Sequence, residues 1–169
     1  VAEREARLHE GELEMPQAVA FPKSVADIKK LIQFARQEGT SLIPRTAGTS
    51  LAGQVVGSGI VVDVSRTFTQ ILEVNPEEGW VRVQPGVIRD ELNLFLKPYG
   101  LYFGPETSTA NRAMIGGMVG NNSCGSNSVV YRSTREHVLS VKAIFAVVSG
   151  VLLMHTNIFM LDLLVIKSW

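Results

Sequence analysis

The stretch Gly104–Ser128, GPETSTANRAMIGGMVGNNSCGSNS, constrains the fold more than any other part of the chain. It is long, it has few large side chains, and its polar residues are nearly all uncharged. Gly116, Gly117, Gly120 and Gly125 crowd together, with Asn121, Asn122 and Ser123 between them. So little charge does not suit a solvated surface loop. Packed against the protein, the run carries backbone N–H and C=O groups that need partners. A large, flat, polar ligand supplies them, and an isoalloxazine ring, with hydrogen-bonding edges and an apolar face, is of that kind. The other reading is a Gly/Asn turn region without a ligand, in which the pairs Met114-Ile115 and Met118-Val119 simply pack.

A second glycine-rich segment, Arg45 to Gly59, lies earlier, directly after a short strand expected at Ser41–Pro44. Its string PRTAGTSLAGQ, Pro44–Gln54, is built of small residues. Glycine permits the positive-φ turns that aim successive N–H groups inward and lets a ligand come close. Thr46, Thr49 and Ser50 add hydroxyls, and Arg45 adds positive charge. Such a loop suits a pyrophosphate, with an ordinary surface loop as the alternative. It is neither a P-loop, since no Gly-Lys-Ser/Thr follows, nor a G-x-G-x-x-G dinucleotide turn.

Around these loops the pattern mixes helices and strands. Residues 1–17 read as a polar lead-in, and Ala18–Pro22 as a short extended stretch. Ser24 opens a helix, with Asp27 as the second half of a capping-box variant. Val25, Ile28, Leu31, Ile32 and Ala35 recur at helical spacing, and Gly39 ends the run. Ile60–Val64 reads as a buried strand. Ile71–Val74 and Trp80–Gln84 flank a Pro/Gly turn and read as a hairpin. A second helix is expected from Ile88 to Lys97, closed by Pro98 and Gly100. Val138–Phe145 is strand-like. The class is α+β or α/β, with no internal repeat.

Composition excludes some functions. Of 169 residues 46% are apolar and 19% charged, enough to bury a real core. Sixteen basic residues balance 16 acidic ones, which argues against nucleic acid as a partner. One cysteine, Cys124, rules out an intramolecular disulfide, and the three histidines, His9, His137 and His155, lack metal-ligand spacing. Val1–Glu14 has no apolar core of a secretory signal, so Asn121-Asn122-Ser123 is read as a chance glycosylation pattern and the chain as cytoplasmic. Val1 in place of Met points to a start upstream.

The strings PRTAGTSLAGQ and GPETSTANRAMIGGMVGNNSCG, in this order and separated by a hairpin and a helix, resemble the PCMH-type FAD-binding domain of the vanillyl-alcohol oxidase superfamily. The likeness runs from about Ala18 to Ile144 and is nearest the D-lactate and glycolate dehydrogenase branch, particularly members fused to an iron–sulfur region. It implies an α+β domain of two α/β subdomains with FAD held between them, partial over residues 18–144 and incomplete at its C-terminal side. It implies that Arg45, Thr46, Ala47, Gly48, Thr49 and Ser50 bind the FAD pyrophosphate. Pro105, Thr107, Ser108, Ile115, Gly116, Gly117, Asn121, Asn122 and Gly125 would line the flavin and pyrophosphate. Relatives that attach FAD covalently use a histidine where this chain has Thr49, so the resemblance implies FAD without a covalent bond there. Cys124 is expected to be a small packing residue.

Two departures stand out. The family usually has a small residue, often glycine, where this chain has Arg132. After Ile144 the chain continues as FAVVSGVLLMHTNIFMLDLLVIKSW, residues 145–169, an apolar tail unlike the family. A frameshifted or truncated gene, a buried helix or strand pair, and a membrane anchor are its three readings; Asp162 within it speaks against a span.

The resemblance implies an oxidoreductase that passes a hydride from a small 2-hydroxy acid to the flavin, and thence electrons to an iron–sulfur region, a quinone or another acceptor. A reductase of cell-wall precursor synthesis shares the flavin domain, but the second loop fits the dehydrogenases better. No residue stands out as a general base; His137, beside Glu136, is expected to be structural. The competing expectations are a flavin-binding module without turnover and a small membrane-associated protein defined by its tail, with peripheral attachment to the inner face of the membrane as a further reading.

Overall fold

The structure is a computed structural model that describes residues 15–145 and 158–165. The lead-in through Glu14, residues 146–157 and residues 166–169 lie outside the described residues. Two small sheets organise the chain. The first is parallel, in the order β1-β3-β2, from β1 (Ala18–Ala20), β2 (Leu42–Arg45) and β3 (Ile60–Asp63). The second is antiparallel, in the order β4-β5-β7-β6, from β4 (Ile71–Asn75), β5 (Trp80–Val83), β6 (Val138–Phe145) and β7 (Ile158–Val165).

Helix α1 (Val25–Gln37) lies between β1 and β2 in sequence, as a parallel crossover requires. Ser24 Oγ accepts from Asp27 N at 3.2 Å. The Asp27 carboxylate reaches back to Lys23 N–H at 3.1 Å, one residue earlier than in the usual reciprocal cap. At the other end Gly39 takes φ +64°, and Thr40 N donates to Ala35 O at 3.0 Å. That is a Schellman closure, and it stops the helix at Gly39, where the sequence pattern ends it. Ile28, Ile32 and Ala35 pack on Leu42, Ile60, Val62, Val64 and Phe68, the core of the first layer.

The hairpin forms as its pattern predicts. Gly79 N bonds to Asn75 O at 2.9 Å, Asn75 Oδ1 accepts from Glu78 N at 3.0 Å, and Gly79 has φ +72°. Val81 and Val83 enter a second core with Val87, Leu92, Leu96, Phe103, Ile115 and Met118. Leu92 and Leu96 come from α2 (Arg89–Leu96), which a 3₁₀ turn, Lys97–Tyr99, extends to Gly100.

Several boundaries differ from the sequence pattern, most by a residue or two. β2 runs one residue further, so Arg45 is its last residue and the first loop starts at Thr46. The second loop is not all loop: Ile115–Gly120 is a helix, α3, although half of its residues are glycine. Low propensity is overridden because Ile115 and Met118 are buried in the second core. A short helix, α4 (Ser128–Tyr131), and a 3₁₀ turn, Thr134–His137, then lead into β6. In the apolar tail, residues 158–165 form β7, paired on one side with β5 and on the other with β6. Among the described residues no helix is long and apolar enough to cross a membrane.

Candidate functional site

The first loop leaves the parallel sheet at the carboxyl end of β2, where Val64 N donates to Arg45 O at 3.0 Å. Gly48 has φ +68°, a turn only glycine makes freely. A β-carbon on Gly48 would lie 2.9 Å from Arg45 Nε, so the guanidinium folds back against this turn. None of the N–H groups from Thr46 to Leu51 donates to an acceptor among the described residues. Further along, Ser50 Oγ donates to Gln54 Oε1, and Ala52 N donates to Ser50 Oγ at 3.4 Å. Successive N–H groups without acceptors around a left-handed glycine, with a cation beside them, are what an anion-binding turn requires.

The second loop meets the first where Gly117 approaches Thr46. A β-carbon on Gly117 would stand 2.9 Å from Thr46 Oγ1, so only a glycine lets the two segments come this close. The Gly117 N–H also has no acceptor among the described residues. Its neighbours are committed elsewhere. Gly116 N donates to Pro85 O at 2.8 Å, and a β-carbon there would sit 2.5 Å from Pro85 Cβ. Ile115 N donates to Val87 O at 2.9 Å, and its side chain is 0% exposed in the core. Of these three, Gly117 alone offers an open donor.

The remaining expected residues divide in the same way. Thr107 Oγ1 lies 3.3 Å from Thr109 Oγ1, and Ser108 is exposed. Pro105 is buried, and its carbonyl accepts from Arg89 Nε at 3.1 Å. Asn121 is exposed at the end of α3. Asn122, at φ +48°, accepts at Oδ1 from Arg135 N–H at 2.9 Å, so it braces the loop from within. Gly125 packs on Glu106, whose carbonyl oxygen would be 2.4 Å from an added β-carbon. Ala47 and Thr49 are half-buried beside Gly48. Cys124 is exposed, contrary to the packing role expected of it.

The side chains that shape the second loop lie largely outside it. Arg89, 6% exposed, donates through Nε to Pro105 O, through Nη2 to Tyr102 Oη at 2.8 Å, and through Nη1 to Asp90 at 2.8 Å. Burial opposes its charge, but the hydrogen bonds to Asp90 and Tyr102 outweigh burial and hold its pKa above the ordinary value. Asn93 both accepts from Phe103 N at 2.7 Å and donates to Phe103 O at 3.2 Å. The segment leading into the loop thus has its backbone satisfied by α2 side chains rather than by a sheet partner. Buried Thr134 donates to Ser123 O at 2.7 Å. Sequence reasoning missed Arg89, Asn93 and Thr134. One signal was legible: a cation opening a helix, where the macrodipole favours an acid.

Open N–H groups, a folded-back guanidinium and glycines at which a β-carbon would crowd Arg45, Thr46, Pro85 or Glu106 fit a diphosphate joined to a flat ring. A model of the FAD binding domain family matches residues 16–148. The chain belongs to this family. Its cofactor is therefore FAD, and the α/β architecture is the PCMH-type fold that the resemblance implied. The FAD binding domain is 51% identical over 133 residues to a D-2-hydroxyglutarate dehydrogenase of Escherichia coli (strain K12), covering 77% of this chain and 13% of the relative. It is 33% identical over 130 residues to a mitochondrial D-lactate dehydrogenase (cytochrome) of Kluyveromyces lactis, covering 75% and 22%. A solved structure of alkyldihydroxyacetonephosphate synthase superposes with a TM-score of 0.73 at 19% identity, covering 87% of this chain and 31% of that one. The chain thus spans a small part of the length of these proteins.

Proposed function

We propose that this chain is the FAD-binding part of an oxidoreductase that oxidises a small 2-hydroxy acid, and that FAD lies between its two glycine loops. The observation that carries the reading is the meeting of Gly117 with Thr46 beside the open N–H groups of Thr46–Leu51. In this reading Arg45, Thr46, Ala47, Gly48, Thr49 and Ser50 hold the diphosphate, with Gly117 as a donor from the second loop. Gly116, Ile115, Pro105 and Asn122 keep that loop in shape. Thr107, Ser108, Asn121 and Gly125 stand along its open face. Thr49 has no ring nitrogen to bond the flavin, so the cofactor is held without a covalent link at that position. FAD, when bound, supplies the hydride acceptor for the carbon that carries the substrate hydroxyl.

The similarity to D-2-hydroxyglutarate and D-lactate dehydrogenases supports the substrate class. In this reading an iron–sulfur region or a quinone takes the electrons, and the protein works in the cytoplasm or at the inner face of the membrane. A flavin-binding module without turnover is the second reading. It is favoured by one observation: His137, the histidine next to the loop, is buried and already hydrogen-bonded.

The test is the absorption spectrum of the purified chain with added FAD, before and after denaturation. Anaerobic addition of D-2-hydroxyglutarate, D-lactate and glycolate follows. A flavin spectrum released on denaturation and bleached by one of these acids supports the oxidoreductase. Bound flavin that none of them bleaches favours the module. A chain that takes up no FAD refutes both.

A further inference from the structure

The loop Gly104–Ser128 is closed by contacts between the segments at its two ends. The chain enters it through Phe103–Gly104 and leaves it through Tyr131–Arg132. The Tyr131 side chain lies against Gly104, where an added β-carbon would be 2.8 Å from Tyr131 Cβ. Arg132 takes φ +61° and ψ −159°, a region that side-chain-bearing residues scarcely occupy. Such a conformation persists only when its surroundings over-determine it.

His137 touches both ends. It is 4% exposed, and its Nε2 lies 2.6 Å from Tyr131 O, the carbonyl of the peptide that joins Tyr131 to Arg132. A carbonyl only accepts, so Nε2 carries the proton and donates. Nδ1 is buried without a partner among the described residues, and as a bare lone pair it asks less of its surroundings than an unpaired N–H would. The same imidazole packs edge-on against Phe103, with ring centroids 5.8 Å apart and planes at 77°. One side chain therefore grips the incoming segment through its ring and the outgoing segment through its N–H. The peptide it grips is the one whose rotation sets φ of Arg132.

We propose that His137 is a positioning residue that clasps the two ends of the flavin loop and holds the Tyr131–Arg132 peptide in the left-handed conformation that Arg132 disfavours. The step from loop shape to cofactor affinity rests on the function proposed above; the clasp itself does not.

The experiment compares the full chain with His137→Phe and His137→Gln, each also combined with Arg132→Gly. Hydrogen exchange is followed by mass spectrometry without cofactor, and FAD affinity by fluorescence titration. His137→Phe keeps a ring against Phe103 but loses the donor. It should speed exchange across residues 104–108 and 122–132, leave α1 and β3 unchanged, and weaken FAD about tenfold, the equivalent of one lost hydrogen bond. His137→Gln offers an amide N–H near the Nε2 position and should recover most of the loss. With Arg132→Gly the left-handed turn is no longer disfavoured, so the effect of His137→Phe should shrink. This double variant also keeps the test decisive if the single variant unfolds.

Unaltered exchange at the loop would overturn the clasp. So would equal losses for His137→Phe and His137→Gln, or a His137→Phe loss of the same size with and without Arg132→Gly. If the unsubstituted chain binds no FAD, the functional reading falls, and the exchange comparison alone decides the clasp.

Discussion

Arg132 shows what one residue contributes when the backbone is held where it does not want to go. Its φ of +61° with ψ of −159° is glycine territory, and a side chain there costs on the order of 1–3 kcal/mol. Arg132→Gly should therefore raise stability by about 1 kcal/mol once the greater flexibility of unfolded glycine is deducted, read as a higher urea midpoint with an unchanged slope. Gly48 is the opposite case. Its φ of +68° disfavours any side chain, and a methyl group would also displace the Arg45 guanidinium folded against it. Gly48→Ala should cost about 1 kcal/mol of stability and weaken FAD by about tenfold or more in a fluorescence titration. Unaltered affinity would mean that this turn does not face the diphosphate.

At the scale of elements, side chains complete what hydrogen-bond ladders leave open. Asn93 on α2 satisfies both backbone groups of Phe103, which lies outside the strands. Asn93→Leu should cost about 1–3 kcal/mol for each group left unpaired, measured by denaturant unfolding. The start of α1 is closed by a charged cap. The hydrogen bond with Ser24, then that from Lys23 N, hold the Asp27 carboxyl below its ordinary range. A carboxyl lowered by folding stabilises the protein above its unfolded pKa and loses that contribution as pH falls through the folded value. The thermal midpoint of the chain should exceed that of Asp27→Asn most clearly above about pH 5, and the gap should close under more acidic conditions. Glu136, lowered mainly by its hydrogen bond with Ser133, acts in the same sense at the turn before β6.

At the scale of the whole molecule, the described residues form two cores, one under the parallel sheet and one under the antiparallel sheet. The glycine loops meet between the elements that build them, so a ligand there ties both layers together. FAD at about a hundred times its Kd should stabilise the chain by about 2.7 kcal/mol, seen as a higher thermal midpoint. The second sheet also depends on a distant strand. β5 and β6 are joined only through β7. A chain ended before Ile158 should lose slow hydrogen exchange at Val81 and Val83 while α1 keeps its own. Retention of slow exchange at β5 would show that the sheet does not need β7.

Local chemistry made much of this legible in the sequence. Ser24 and Gly39 mark the ends of α1, Asn75 and Gly79 mark the hairpin turn, and the strings of the two loops carry the likeness to the FAD binding domain, because caps, turns and close backbone approaches each demand particular residues. What the sequence could not reveal depends on residues far apart in the chain. A glycine-rich segment becomes α3 because Ile115 and Met118 are buried. Arg89 and Asn93 serve a segment that follows their own helix, and Gly117 finds its place only where Thr46 already stands. The apolar run at residues 158–165 lies in a sheet because the strands on either side of it leave their hydrogen-bonding edges open, and burial and pairing of that kind exist only once the chain has folded.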